Sequence, residues 1–241
     1  MTAMRMTEML RVQNLQAGYG SSQVLFGLDF SVAAGQVVTL LGRNGMGKST
    51  TIKCLCGLLA PSGGSIALAG LALAGLPSYK IGRAGVGLVP EGRQVFPNLT
   101  VRENLVATAS TRNAGNTPWT LQRVYQLFPR LQERSAQLAG KMSGGEQQML
   151  AVGRALMTNP KLLLLDEATE GLAPLIRLEI WNCVAQLKAE GMAMIVIDKN
   201  LRPLLPLADR HHIVEKGRIV WQGDSAALQA DTAAVERYLS V

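Results

Sequence analysis

The run Gly42-Arg43-Asn44-Gly45-Met46-Gly47-Lys48-Ser49-Thr50 decides how this chain is read. It matches G-x-x-x-x-G-K-[ST], a spacing whose parts each answer a need of a bound polyphosphate. A polyanion needs many donors close to the backbone, and glycines allow that approach because they have no Cβ. The loop N–H groups and the start of the following helix supply positive potential. Lys48 can reach the β- and γ-phosphates, and the Ser49 hydroxyl can ligate Mg²⁺. The flanks suit the motif: residues 36–41 form a short apolar strand, and residues 48–58 read as a helix. From average residue frequencies, chance matches arise in on the order of one chain in a hundred. A glycine turn with an incidental lysine is the plain alternative.

A phosphate loop needs a carboxylate to hold the metal shell. Leu162-Leu163-Leu164-Leu165-Asp166-Glu167 supplies it. An apolar strand that ends in Asp166 sets that side chain at the carboxyl edge of a sheet, where open α/β folds bind ligands. Asp166 then orients Mg²⁺, and Glu167 is placed to act as general base on the attacking water. The plain alternative is a pair of helix-capping acids. Together the two motifs describe a P-loop NTPase and leave ATPase, GTPase and kinase open.

Working outward, residues 9–14 and 24–32 read as strands on either side of a Gly18-Tyr19-Gly20 turn, and 86–89 and 161–165 as further strands. Residues 174–188 read as helix and 193–197 as strand. Next come a short helix at 201–207, interrupted by Pro203 and Pro206, and a hairpin of 211–215 and 218–222 joined at Lys216-Gly217. Between residues 93 and 158 the character changes: helical runs at 101–109, 121–127 and 146–157, with a polar loop at 110–117 between the first two. The alternation of strands and helices predicts a mostly parallel sheet. The early strands without helices between them add an antiparallel portion. The expected architecture is one α/β domain, a core of about 1–92 and 159–241 with a helical subdomain inserted at about 93–158.

The 241 residues are 48% hydrophobic and 17% charged, which gives a substantial core and argues against disorder. The longest apolar runs, such as 162–165 and 193–197, are far short of the ~20 residues of a membrane span. The N-terminal run MTAMRMTEML lacks an apolar signal region, so a cytosolic protein is expected. Three cysteines, Cys54, Cys56 and Cys183, suit a reducing compartment. On a helix, Cys54 and Cys56 diverge by roughly 200° and read as buried small side chains rather than a metal site. A net charge of +7 decides nothing by itself. No block of consecutive Lys/Arg and no aromatic stacking platform points to nucleic acid.

Met142-Ser143-Gly144-Gly145-Glu146-Gln147-Gln148 narrows the class. Ser143 and the two glycines open a helix, a second anion-binding N-terminus in one chain. Between the two phosphate-site motifs, this run resembles the signature sequence of ATP-binding cassette (ABC) proteins. The resemblance implies a head-to-tail dimer, in which Ser143, Gly144 and Gly145 of one subunit cover the nucleotide on the other's P-loop. It makes Tyr19 the aromatic that stacks on adenine; a core tyrosine in a glycine turn is the alternative. It places Glu91, in Val89-Pro90-Glu91-Gly92-Arg93, where the family has its Q-loop glutamine, beside the metal and the reaction. Glu170-Gly171-Leu172-Ala173 takes the place of the D-loop. Lys199, in Ile197-Asp198-Lys199-Asn200, falls where the switch histidine usually stands. A lysine there can meet the γ-phosphate as a point charge but does not accept a proton at neutral pH. The expectation is therefore Glu167 as base and Lys199 as a γ-phosphate contact, with His211 and His212 too late and in a strand.

The segments VPEGR, FPNLTVRENL, DEATEGLAP and VEKGRIVWQG resemble the smaller ATPase of branched-chain amino acid importers, over residues 10–235. That branch commonly lacks the switch histidine, usually with glutamine in its place, so Lys199 departs even from this pattern. The resemblance implies ATP and Mg²⁺ as ligands, two transmembrane permeases, a second and non-identical ATPase, an external solute-binding protein, and no nucleic acid. It implies a peripheral position on the cytoplasmic face of the cell membrane. Phe96, Pro97 and Leu99 are candidates to touch the permease; for Phe96, burial in the helical lobe is the alternative. Importers of urea, amides or other small solutes have similar ATPases, and an exporter ATPase, a DNA- or ribosome-acting ABC protein and a P-loop kinase are the more distant readings.

Overall fold

A computed structural model describes residues 7–115 and 117–239. Two long strands, β1 (Glu8–Tyr19) and β2 (Ser22–Ala33), pair antiparallel and lead to β3 (Val37–Leu41) and α1 (Lys48–Leu55). Then come β4 (Gly63–Leu68), β5 (Leu71–Ala72), α2 (Ser78–Ala84) and β6 (Val86–Val89). Helices α3 (Val101–Ala107), α4 (Leu121–Leu127), α5 (Pro129–Glu133) and α6 (Gly144–Met157) precede β7 (Leu162–Asp166). The chain continues through α7 (Pro174–Ala189), β8 (Ala193–Ile197) and α8 (Leu201–Leu204). The hairpin β9 (Arg210–Glu215) and β10 (Arg218–Gly223) is followed by α9 (Ser225–Ala230) and α10 (Thr232–Tyr238).

Two sheets form, one of order β10-β9-β3-β8-β7-β6 and one of order β2-β1-β4-β5. In the larger sheet β3, β6, β7, β8 and β9 run parallel, and β10 turns back. Every residue of β3, β7 and β8 is buried, the mark of strands covered on both faces. Alternation divides them cleanly. Val37, Leu41, Leu163, Leu165, Met194 and Val196 pack with the helices, joining Leu105, Leu131, Leu150 and Val184. Val38, Leu40, Leu162, Leu164, Ile195 and Ile197 pack toward β1, β2 and α1, joining Leu10, Leu28, Ile52 and Leu55. Because β3, β7 and β8 are parallel, their carboxyl ends share one edge. Residues 42–47 follow β3, Asp166 is the last residue of β7, and Lys199 stands two residues past β8. No helix among the described residues is long and apolar enough to cross a membrane.

Polar side chains organise the stretch between β6 and α3. Asn104 is fully buried; its carbonyl accepts from the Phe96 N–H (2.9 Å), and its amide donates to the carbonyls of Phe96 (3.0 Å), Leu99 (3.2 Å) and Thr100 (3.0 Å). Thr100 and Glu103 cap α3 reciprocally. The Arg154 guanidinium donates to the Gln94 carbonyl (2.6 Å) and lies 4.1 Å from the Phe96 ring centroid. Phe96 is therefore held from beneath yet remains 44% exposed, which corrects the reading that would bury it.

Several boundaries differ from the sequence reading. The first strand runs to Tyr19 instead of stopping at Asn14. Gly18 and Tyr19 stay in the ladder opposite Gln23 and Ser22, so the turn is Gly20 and Ser21. The P-loop helix ends at Leu55 rather than residue 58, capped at Cys56 just before Gly57 with φ +67°. The signature helix opens at Ser143 and the two glycines as the motif reading has it, two residues before the helical run at 146–157, because the Ser143 hydroxyl accepts from the Glu146 N–H. α3 stops at Ala107 and α8 at Leu204, both shorter than expected. The strands β4 and β5 and the helices α2, α5, α9 and α10 went unread. His211 and His212 do lie in β9, and Cys54 and Cys56 are buried free thiols, pushed by burial up to about 11 and about 12. Residues 1–6, which carry part of the leader reading, and position 116 of the polar loop lie outside the described residues.

Replacing Asn104 by Ala takes the side-chain partner from the Phe96 N–H and one of two partners from the carbonyls of Phe96, Leu99 and Thr100, which keep the N–H groups of Leu99, Ala139 and residue 104. At about 1–3 kcal/mol for the unsatisfied donor and about 0.5–1 kcal/mol for each carbonyl bond lost, partly relieved by water, Asn104→Ala should lower unfolding stability by about 2–4 kcal/mol in a urea titration. A loss under about 0.5 kcal/mol would mean that the loop is held by other contacts.

Candidate phosphate and metal site

The loop after β3 is built around a close backbone approach. Gly42 has φ +136°, and a Cβ there would sit 2.3 Å from the Val214 carbonyl oxygen of β9. Only glycine permits that turn. On the hairpin side, the Gly217 N–H donates to the Met46 carbonyl (3.0 Å), and the Met46 sulfur accepts from the Lys216 N–H (3.4 Å). The Arg43 guanidinium donates to the Arg237 carbonyl at 3.2 Å, directed to the C-terminal helix.

α1 starts at Gly47 with no side-chain cap and no acid in its first turn. Its orphan N–H groups are therefore left for an anion. Lys48 is buried, and its Nζ donates to the carbonyls of Gly42 (2.7 Å) and Arg43 (2.8 Å). Burial pulls its pKa below the usual lysine value, opposed by the charges of Glu167 and Asp166. The two carbonyls stabilise the ammonium where a phosphate would otherwise do so.

Across the edge, Ser49 Oγ donates to Asp166 Oδ1 at 3.3 Å, although 117 positions separate them in sequence. Burial raises the Asp166 carboxyl, and the Ser49 bond opposes the rise. A hydroxyl and a carboxylate meeting at the mouth of a phosphate loop are hard oxygen donors of the kind Mg²⁺ takes, so the residues present fit that ion. The exposed Glu91 carboxylate lies within 4.8 Å of those of Glu167 and Glu170.

Glu167 has φ +49°, held by its N–H donating to the Ile197 carbonyl (2.9 Å). Its pKa is raised, first by burial and then by a hydrogen bond to Glu170. Lys199 Nζ lies 3.4 Å from Glu167 Oε2 and 2.5 Å from Glu170 Oε1. Asn44, Gly45, Gly47, Lys48, Ser49, Thr50, Glu91, Glu167, Glu170 and Lys199 line one polar cleft of about 310 Å³. Tyr19 stands at the flank of α1, 45% exposed, its hydroxyl 3.5 Å from Thr50 Oγ1 and 3.3 Å from Lys53 Nζ. It is neither core nor part of the turn.

Ser143, Gly144 and Gly145 do not line this cleft. The Ser143 hydroxyl and N–H both donate to Glu146 (2.8 and 2.9 Å), which also pairs with Arg134 at 2.6 Å. This second helix start is already capped, unlike α1. The Arg93 guanidinium lies where a Gly144 Cβ would be, 2.6 Å from its Nη1, and Ile176 stands against Gly145. Sequence reasoning noted Glu170 by its place but gave it no role, and missed the approach of Arg93. Neither contact leaves a mark in local sequence, since residues 29 and 51 positions apart make them.

The chain belongs to the ABC transporter family: the family model described as ABC transporter matches residues 25–170. Membership brings nucleotide binding and ATP hydrolysis as its activity class. The high-affinity branched-chain amino acid transport ATP-binding protein BraG of Pseudomonas aeruginosa is 46% identical over 231 residues, 96% of this chain and 99% of its own length. The lipopolysaccharide export system ATP-binding protein LptB of Acidithiobacillus ferridurans is 31% identical over 97% of this chain and 98% of its own length. Among solved structures, the ADP conformation of an ATP-binding cassette of an ABC transporter superposes with a TM-score of 0.80 at 27% identity, covering 95% of this chain and 97% of the other.

The Gly42 approach to β9 gives a direct check on the loop. Gly42→Ala should destabilise the protein by about 2–3 kcal/mol, roughly a 4–12 °C fall in melting temperature at this size, and weaken ATP binding. Gly45→Ala, where a Cβ meets nothing within 4 Å, should cost clearly less. Equal losses would refute the packing of Gly42 on Val214.

Proposed function

We propose that this chain is the ATP-hydrolysing subunit of an ABC importer for branched-chain amino acids. The observation that carries the chemistry is the cleft that Lys48, Ser49 and Glu167 line, with Asp166 bonded to Ser49, at the ends of two buried strands. The observation that carries the cargo is 46% identity over nearly the full length to BraG, against 31% to the export ATPase.

In this reading the loop N–H groups of residues 42–50 and the Lys48 ammonium hold the β- and γ-phosphates, and Tyr19 stacks on adenine. Ser49, Asp166 and Glu91 would hold Mg²⁺, which when bound neutralises charge on the phosphate oxygens. Lys48 exchanges its two carbonyl acceptors for phosphate oxygens, so its positive charge is already in place when the nucleotide arrives. Glu167 is the base. It takes a proton from the attacking water as the water oxygen bonds to the γ-phosphorus and the bond from that phosphorus to the β–γ bridging oxygen breaks, releasing ADP. Lys199 meets the γ-phosphate as a point charge, and phosphoryl transfer then depends mainly on positioning. Ser143, Gly144 and Gly145 cover the nucleotide of a second ATPase subunit in a head-to-tail pair.

A helical subdomain at about 93–158, set in a core of about 1–92 and 159–241, would carry the stroke to two permeases at the cytoplasmic face of the membrane. Phe96, Pro97 and Leu99 are its proposed contacts. Phe96 and Pro97 are exposed, and Arg154 and Asn104 fix the shape of their loop. An external solute-binding protein would deliver the solute; nucleic acid has no part.

Uptake of radiolabelled leucine, isoleucine and valine, with urea and amides as comparisons, tests this in cells that lack the gene. Complementation with the wild type should restore leucine-type uptake. Lys48→Ala should lose ATP binding, while Glu167→Gln should bind ATP and turn over at least about 100-fold more slowly. Restored urea or amide uptake would change the cargo and keep the ATPase. No gene-dependent uptake would overturn the importer reading, and normal turnover in both variants would overturn the site.

A further inference from the structure

The ammonium at the switch position has two carboxylates to choose from. Lys199 Nζ sits 2.5 Å from Glu170 and 3.4 Å from Glu167. Three rungs hold the segments that carry them in fixed register: the Glu167 N–H donates to the Ile197 carbonyl, the Thr169 hydroxyl donates to the Asp198 carboxylate, and Lys199 pairs with Glu170. Thr169 is buried, and the Asp198 carboxylate also accepts from the Asn200 N–H (2.8 Å). The backbone on either side of Lys199 is thus held by hydrogen bonds. Glu170 and Lys199 are about half exposed, whereas the Glu167 side chain is 11% exposed. An ion pair at the more sheltered Glu167 would be the less screened of the two. In the present geometry, Glu170 holds the ammonium at the rim and leaves Glu167 at the longer distance.

We propose that Glu170 is a positioning residue: it draws the Lys199 ammonium toward itself, so that Glu167 is engaged by that ammonium only at the longer distance and keeps a lone pair for the attacking water. This rests on Glu167 acting as the base in the site above. Without the Glu170 charge, Glu167 is the nearest remaining carboxylate on this face, and Lys199 closes on it. A carboxylate whose oxygen is engaged by an ammonium is a poorer acceptor for a water proton, even with ATP fully bound. Lys199 is then helpful beside Glu170 and harmful without it. That reversal separates positioning from a merely structural role.

The test is steady-state MgATP hydrolysis by the full chain, purified with its co-expressed partner subunits. Glu170→Gln should lower kcat roughly tenfold without raising KM for ATP. Glu170→Asp should keep most of the activity. Glu170→Gln with Lys199→Gln should be faster than Glu170→Gln alone and fall within about threefold of Lys199→Gln alone. Wild-type kcat in Glu170→Gln, or a double variant as slow as or slower than Glu170→Gln, would overturn the proposal. Melting temperatures accompany each variant, and Glu170→Ser replaces Glu170→Gln in the same scheme should the latter fail to fold. Glu167→Gln keeps the two layers apart. If it is inactive while Glu170→Gln is normal, only the positioning role fails. If Glu167→Gln is itself active, the base assignment fails, and the positioning role with it.

Discussion

Burial of β3, β7 and β8 on both faces is the constraint from which the site follows. Those strands run parallel, covered by helices on one face and a second layer on the other, and parallel strands end at a common edge. Leu41, Asp166 and Ile197 terminate them there. The chemistry-bearing groups lie within a few residues of these termini, so their separation is set by the strand spacing, not by loop preferences. That is how Ser49 and Asp166, 117 positions apart, come within 3.3 Å. A misplaced strand would take the phosphate loop away from its carboxylate.

The two helix starts in the proposed nucleotide cycle differ in their chemistry. α1 opens with glycine, no cap and no acid, so its donors are unsatisfied without an anion. α6 opens with a reciprocal Ser143–Glu146 cap, itself paired with Arg134. The first is built to bind, the second to stay formed while presenting two small residues. Gly144 and Gly145 are small for steric reasons: Arg93 and Ile176 already occupy the space a side chain would take. Arg93 belongs to the same short segment as Glu91, and Arg154 of α6 grips that segment again at Gln94 and Phe96. The loop that carries Glu91 is therefore attached to the signature helix near both its ends.

Much of this was legible in sequence wherever a short apolar run was bounded by glycine or a charged residue. The strands at 86–89 and 193–197 match their predicted limits, because uninterrupted Val, Ile and Leu leave few other choices. The phosphate loop was legible because each of its residues is demanded by backbone geometry. The pieces missed, such as α2 with one buried residue and the two-residue β5, are short and mostly exposed, so they lack an apolar period. Tyr19 was misread as part of a turn because glycines flank it; the long β1–β2 ladder overrides that local signal. The Lys199–Glu170 pair was illegible for a different reason. It depends on β7 and β8 being neighbours, a fact of sheet order that no local pattern contains.

The central claim is that the ends of β3 and β7 form one phosphate and metal site. Equilibrium binding of ATP with and without Mg²⁺, by the wild type, Ser49→Ala and Asp166→Asn, tests it most directly. Mg²⁺ should tighten ATP binding to the wild type. Both variants should lose most of that gain and keep the Mg²⁺-free affinity that Lys48 and the loop donors supply. If the gain from Mg²⁺ is unchanged in both variants, the two strand ends do not share a site and the account is wrong.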